Sequence, residues 1–337
     1  MLSCLEQKSC LEHVSRKAVR CLLLTSVAFI FIMLAGCTSE EPDTSAPRRQ
    51  VIERTADWQG ALLYIADQNG PNPAFGSIRI YDNITGFVEK TINQSIAAAP
   101  ADMYVTPDGG TMYVAGSENG RIDKFRWDGN NWIRGGVAID SPAVSIFAMA
   151  PAPNGMLYFT ARDGEPFGKI FKLDISADRV EQDPLSVPQL SELRGISWSP
   201  DGNTVFLSGM GRDGKAQLLK ATWPSLEILG RVDLSEASGV NQVVTSIDGS
   251  RIFVMAEGRI YIVDSASFSV TGMMDPSGNP QTSYSDGAIS ADGRYLLLAG
   301  NLAGERASLY IVDLSNNSLV KRVGNVAEKA GGVQRAE

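Results

Sequence analysis

An all-β fold made of repeated four-stranded units is what this sequence predicts, on three observations. Asp/Asn-Gly turn pairs recur at Asp108-Gly109, Asn154-Gly155, Asp201-Gly202, Asp248-Gly249 and Asp292-Gly293, at intervals of 46, 47, 47 and 44 residues. Each pair precedes a short apolar run and follows another. No 3.6-residue hydrophobic period is visible anywhere after the first forty residues, which disfavours helical repeat arrays. Asp-Gly is a strong hairpin signal, because glycine and asparagine accept φ > 0 at little cost. Four strands per roughly 47 residues is the unit of a β-propeller blade.

The elements of one blade follow in order. The run after each turn is Met112-Tyr113-Val114-Ala115, Leu157-Tyr158-Phe159, Val205-Phe206-Leu207, Ile252-Phe253-Val254-Met255 or Tyr295-Leu296-Leu297-Leu298. These runs are apolar on both faces, as in a sheet covered on both sides. A third strand comes next, for example Ile260-Tyr261-Ile262-Val263-Asp264 or Leu309-Tyr310-Ile311-Val312-Asp313. A weaker fourth follows, for example Leu319-Val320-Lys321-Arg322-Val323. The first unit begins at Leu62-Leu63-Tyr64-Ile65, a second-strand position, and so lacks its innermost strand. The segment Gly331-Gly332-Val333-Gln334-Arg335 reads as an innermost strand with nothing after it. Joined, the two close a ring of six blades and hide two sheet edges; seven blades is the alternative.

Pro107-Asp108-Gly109 followed by Met112-Tyr113-Val114-Ala115-Gly116 resembles the YVTN-type propeller repeat. Trp198-Ser199-Pro200-Asp201-Gly202 is similar to the propeller half of TolB-type periplasmic proteins. The resemblance spans residues 61–337 and rests on repeat grammar alone. It implies the fold; propellers carry binding modules, scaffolds, lactonases and dehydrogenases alike.

Residues 1–36 read as an export leader. Arg16, Lys17 and Arg20 form a basic end, and Cys21 to Met33 is an apolar run too short for a span of about 20 residues. Leu34-Ala35-Gly36-Cys37 resembles the lipobox of bacterial lipoproteins. That resemblance implies cleavage before Cys37, lipidation of its sulfur and amine, and firm membrane attachment. Thr38, rather than Asp, follows the cysteine; by resemblance to enteric bacteria the anchor is then the outer membrane, facing the periplasm. Residues 37–57 are polar, with Glu40, Glu41, Pro42, Asp43, Pro47, Arg48 and Arg49, and read as a flexible tether. Residues 58–337 are the propeller.

Composition narrows the chemistry. The net charge is −8, and −10 once residues 1–36 are removed, with 26 basic and 36 acidic residues remaining. A diffusely acidic surface disfavours nucleic acid as a partner. All four cysteines (Cys4, Cys10, Cys21, Cys37) and the single histidine, His13, precede residue 38. The propeller therefore has no disulfide, no thiolate or imidazole metal site, and no histidine-dependent nucleophile. No cofactor is called for. Ca²⁺ is the one metal within reach of carboxylate and amide side chains, and no loop carries an ordered Asp-x-Asp-x-Asp ladder.

Counting from each turn glycine reaches the starts of the innermost strands: Ala101-Asp102, Phe147-Ala148, Arg194-Gly195, Asn241-Gln242, Ser285-Asp286 and Gly331-Gly332. Asp102, Arg194, Asn241, Gln242 and Asp286 are polar in otherwise apolar strands, and a charge at the neck of a ring is costly unless paired, hydrated or liganded. They are expected at one channel mouth, as a ligand pocket of mixed charge or as a watery channel with Arg194 paired to Asp102 or Asp286. The loops between second and third strands share that mouth and carry Asp67, Glu118, Arg162, Asp163, Arg212, Asp213, Glu257, Glu305 and Arg306, among others. The expected function is a membrane-anchored envelope protein whose propeller binds envelope proteins or a small ligand. The alternative is a histidine-independent enzyme, either a lactone hydrolase with Ca²⁺ or a quinone-dependent dehydrogenase.

Overall fold

In the computed structural model, the described residues are 62–335 apart from 73–74, 83–86, 93–98 and 137–138; the leader, Cys37 and the tether lie outside them. These residues form 25 β-strands and no α-helix, and no helix among them is long and apolar enough to cross a membrane. The strands make six antiparallel sheets.

Blade 1 joins β25 (Ala330–Arg335) to β1 (Leu62–Asn72), β2 (Phe75–Asp82) and β3 (Phe87–Ile92). Blade 2 is β4 (Pro100–Val105), β5 (Thr111–Gly116), β6 (Ile122–Trp127) and β7 (Trp132–Arg134). Blade 3 is β8 (Ser145–Pro151), β9 (Leu157–Arg162) and β10 (Gly168–Asp174), with its outer strand split into β11 (Arg179–Val180) and β12 (Leu185–Val187). Blade 4 is β13 (Leu190–Trp198), β14 (Thr204–Gly211), β15 (Ala216–Thr222) and β16 (Ile228–Asp233). Blade 5 is β17 (Val240–Thr245), β18 (Arg251–Ala256), β19 (Ile260–Asp264) and β20 (Ser269–Met274). Blade 6 is β21 (Ser283–Ile289), β22 (Tyr295–Asn301), β23 (Ala307–Asp313) and β24 (Ser318–Ala327).

The ring is thus six-bladed, and the expected closure is present. β25 pairs with β1 through Leu63↔Arg335, Tyr64↔Gln334 and Ile65↔Val333. Asp67, fully buried, secures the joint: Oδ1 accepts the amides of Glu328 and Lys329, and Oδ2 accepts Arg79 Nε at 2.7 Å. The core consists of six apolar clusters, each between two adjacent blades. Phe206, Leu218, Val243, Val254 and Tyr261, for example, lie between blades 4 and 5. This is why the middle strands are apolar on both faces. The outermost strands are more exposed; β16 alternates between partly buried and exposed residues along its length, and β20 and β24 begin with three exposed residues.

The recurring turn has a specific chemistry. In four blades a hydroxyl two residues before the aspartate donates to it: Thr106 to Asp108, Ser199 to Asp201, Ser246 to Asp248 and Ser290 to Asp292. The same oxygen accepts the amide that starts the next strand, at 2.9–3.0 Å from Thr111, Thr204, Arg251 and Tyr295. The turn glycine sits at positive φ, +72° at Gly249, where a side chain would strain the backbone. Blade 3 has Ala152 in place of the hydroxyl and keeps only the Asn154-Gly155 turn.

Candidate functional site

In every blade the pairing of the innermost with the second strand slips at the doublet reached by counting back from the turn. Such bulges redirect side chains and free backbone groups. The amides that follow the six doublets belong to Met103, Met149, Ile196, Val243, Gly287 and Val333. Three side chains take all six. Asp102 accepts Met103 N on Oδ1 and Met149 N on Oδ2, each at 2.7 Å, bridging blades 2 and 3. Gln242 Oε1 accepts Ile196 N at 3.2 Å and Val243 N at 3.0 Å, bridging blades 4 and 5. Asp286 accepts Gly287 N, and its Oδ2 accepts Val333 N at 2.8 Å, bridging blades 6 and 1. Two glycines leave room for these clasps. A Cβ on Gly195 would stand 2.7 Å from Gln242 Oε1, and one on Gly332 would stand 2.7 Å from Asp102 Oδ1.

The clasp residues are buried, with 5–7% exposure. Burial pushes the Asp102 carboxyl up to about 7, although the Met149 and Met103 amides pull the other way. Asp286 is raised well above the usual carboxylate range, by burial first and then by the charge of Asp102; the Val333 and Gly287 amides and a hydrogen bond from Gln242 oppose this. The cause is case-book electrostatics: two carboxyls close together out of water do not both ionise readily. Both carboxyls at the waist are thus held above the usual carboxylate range.

These residues form a waist between two cavities. On the turn side a cavity of about 340 Å³ is bounded by Asp102, Asp286, Ile196, Ser197, Val244 and Thr245, among others. On the other side, where the innermost strands start, a cavity of about 420 Å³ is lined by Arg194, Asn241, Ser283, Ser285, Asn301 and Lys329, with Phe147 and Gln68. Gln242 lines both. The five residues expected at one mouth are therefore divided: Arg194 and Asn241 on the strand-start side, Asp102 and Asp286 on the turn side, Gln242 between. The pleat explains this, since consecutive residues of a strand point opposite ways.

Arg194 pairs with neither aspartate. Its Nη2 meets Glu192 Oε1 at 2.7 Å, and its guanidinium lies 4.3 Å from the Phe147 ring centre. Glu192 and Arg194 are two apart on one strand and share a face, a signal present in the sequence. Asn241 Nδ2 donates to Tyr284 O at 2.8 Å and to Ser283 Oγ at 3.3 Å. Asn301 holds Ala330 by both its N and O, each at 2.8 Å. Lys329 and Ser283 are additions that the counting rule did not reach, because they lie outside the doublets. Among the described residues no group of three or more His, Cys, Asp or Glu is gathered as metal ligands would be.

Fold and site together define a six-bladed, channel-bearing β-propeller with a clasped waist. No family model matches the chain, and no curated protein matches it. Solved propellers do. Hydrazine synthase of Kuenenia stuttgartiensis is 18% identical, with a TM-score of 0.59, covering 86% of this chain and 90% of that one. A periplasmic gluconolactonase of Pseudomonas aeruginosa is 16% identical at a TM-score of 0.59, covering 78% and 82%. A putative 6-phosphogluconolactonase of Bacteroides uniformis is 15% identical at 0.53, covering 79% and 82%. At such identities the likeness is one of fold.

Proposed function

We propose that this protein is a lipid-anchored component of the bacterial cell envelope whose propeller binds its partner or ligand at the strand-start mouth. The observation that carries the binding role is the division of the channel. The strand-start cavity gathers Arg194, Lys329, serine hydroxyls and carboxamides, and its size falls within the usual range for ligand pockets. The carboxyls that could do acid–base work, Asp102 and Asp286, are already committed to four backbone amides. The anchor rests on the lipobox-like Leu34-Ala35-Gly36-Cys37. By the same resemblance the protein faces the periplasm from the outer membrane.

The test uses the full-length lipidated chain. Cys37→Ala moves the protein from the membrane to the soluble periplasmic fraction. Wild type captures a protein or small molecule from envelope extracts, and Ser285→Trp, which fills the strand-start cavity, abolishes the capture. Undiminished capture by Ser285→Trp sinks the assignment of the mouth.

A second reading is favoured by one feature. Asp102, ionising near 7, borders the turn-side cavity, and a carboxyl so tuned can move protons in catalysis. On that reading the protein hydrolyses a small lactone. Hydrolysis that Asp102→Asn leaves intact would eliminate it.

A further inference from the structure

We propose that the strand-start mouth is a site for a small hydroxylated organic anion, held by its carboxylate or phosphate between Arg194 and Lys329. This rests on the reading of that mouth as the binding face and adds the chemistry of what binds there.

The first support is a local reversal of charge. The protein is acidic, at −8 overall, yet the residues lining this cavity include two cations and no carboxylate. Charges of one sign facing a concave, partly desolvated space concentrate counter-ions of the other.

The second is preorganisation. Arg194 is stacked on Phe147, and Glu192 holds one of its terminal nitrogens. A guanidinium has five N–H donors, so the rest of the fork stays available while its plane is fixed. Lys329 is set by its backbone: its N donates to Asp67 Oδ1 at 3.1 Å and its O accepts Gln68 N at 2.8 Å. Its exposed ammonium makes no ion pair among the described residues. The neighbouring Glu328 turns to Arg79 and Arg306 instead.

The third is the polar wall. Asn241 and Asn301 are locked by backbone partners and donate to Ser283 Oγ and Ser285 Oγ at 3.3 Å. Ser283, receiving one hydrogen, retains its own to give, which suits a hydroxylated ligand. Beyond Gln242 stand Asp102 and Asp286. The cavity thus ends at a waist whose side chains are occupied with backbone amides.

The experiment is calorimetric titration of the full chain in detergent at low salt with L-malate, citrate and inorganic phosphate, against the uncharged 1,2,4-butanetriol. At least one anion is expected to bind tenfold or more tightly than the triol. Added salt weakens that binding, Arg194→Gln weakens it at least tenfold, and Lys329→Gln about threefold. Glu192→Gln, which removes a competing negative charge and leaves Oε1 to hold the guanidinium, tightens it. Malate and citrate ahead of phosphate identify a carboxylate ligand; the reverse order identifies a phosphate. The inference is overturned when no anion exceeds the triol, or when neither Arg194→Gln nor Lys329→Gln moves anion binding. Should the triol bind as well as the anions and lose affinity in Ser283→Ala, the mouth remains a binding site and only its charge preference falls. Should no probe bind while Arg194→Gln/Lys329→Gln still captures the envelope partner, the mouth is not the binding face.

Discussion

Asp102→Asn offers the sharpest test of the clasped waist. The unfolded carboxyl titrates at its ordinary 3.8 and the folded one at about 7. With the folded value raised, the carboxyl's contribution to stability is fully present below 3.8 and is lost as the pH climbs through about 7. A gap of three units corresponds to about 4 kcal/mol in full, and about 3 kcal/mol of it is lost between about pH 5 and pH 9. Asparagine cannot ionise, so the variant escapes that loss. It carries a different cost. Its carboxamide accepts one of the two amides of Met103 and Met149 and turns an NH₂ toward the other, costing about 1–2 kcal/mol at every pH. The expected result is a variant within about 1 kcal/mol of wild type near pH 5 that becomes the more stable of the two by about 2–3 kcal/mol toward pH 9. Urea unfolding at intervals across that range measures it, and the difference between the two proteins cancels titrations they share. A stability difference that stays constant with pH would refute the reasoning, because it would mean that Asp102 ionises as freely in the ring as in the unfolded chain.

Further outcomes follow from the same geometry. Gly332→Ala places a Cβ 2.7 Å from Asp102 Oδ1 and 3.0 Å from Asp102 Cα, and is expected to cost about 2–3 kcal/mol through displacement of the clasp; a denaturation midpoint equal to wild type contradicts the packing described. Ser246→Ala removes the hydroxyl that donates to Asp248 and accepts Arg251 N, and should cost about 1–2 kcal/mol by thermal denaturation. The same substitution also releases Asp248, whose carboxyl the Ser246 hydroxyl, followed by the Ser250 amide and hydroxyl, holds well below the usual range. That depressed value stabilises the fold above the ordinary 3.8 and the benefit disappears as pH falls, so Ser246→Ala should flatten the acid limb of the stability profile; an unchanged limb argues against the hydroxyl's role.

The repeat made the fold legible. Asp108, Asn154, Asp201, Asp248 and Asp292 mark a period that survives any local ambiguity, and the orphan half-units at Leu62 and Gly331 disclose how the ring closes. The doublets were legible too, because counting from a turn glycine is robust along a short strand. What the count passed over was the side on which each member falls. Arg194 and Asn241 are first members of their doublets, Asp102, Gln242 and Asp286 second members, and the two positions face opposite ways. The clasps were hidden for a related reason. Gln242 reaches back to Ile196 whereas Asp102 reaches forward to Met149, and only the ring geometry decides which neighbour a side chain meets. Lys329 belongs to no repeat position; it enters the site because Asp67 fixes the backbone just before the closing strand.

The three clasps also differ in which parts of the chain they tie together. Asp102 and Met149, and likewise Ile196 and Gln242, lie within one stretch of chain and can meet as soon as two consecutive blades exist. Asp286 waits for Val333, which belongs to the last of the described strands yet completes the first blade. Two clasps thus join consecutive blades, and the third is the latch of the ring. Only with that latch shut is the ring closed around the two aspartates, so the cost of burying them together falls on the joint between the first and last blades.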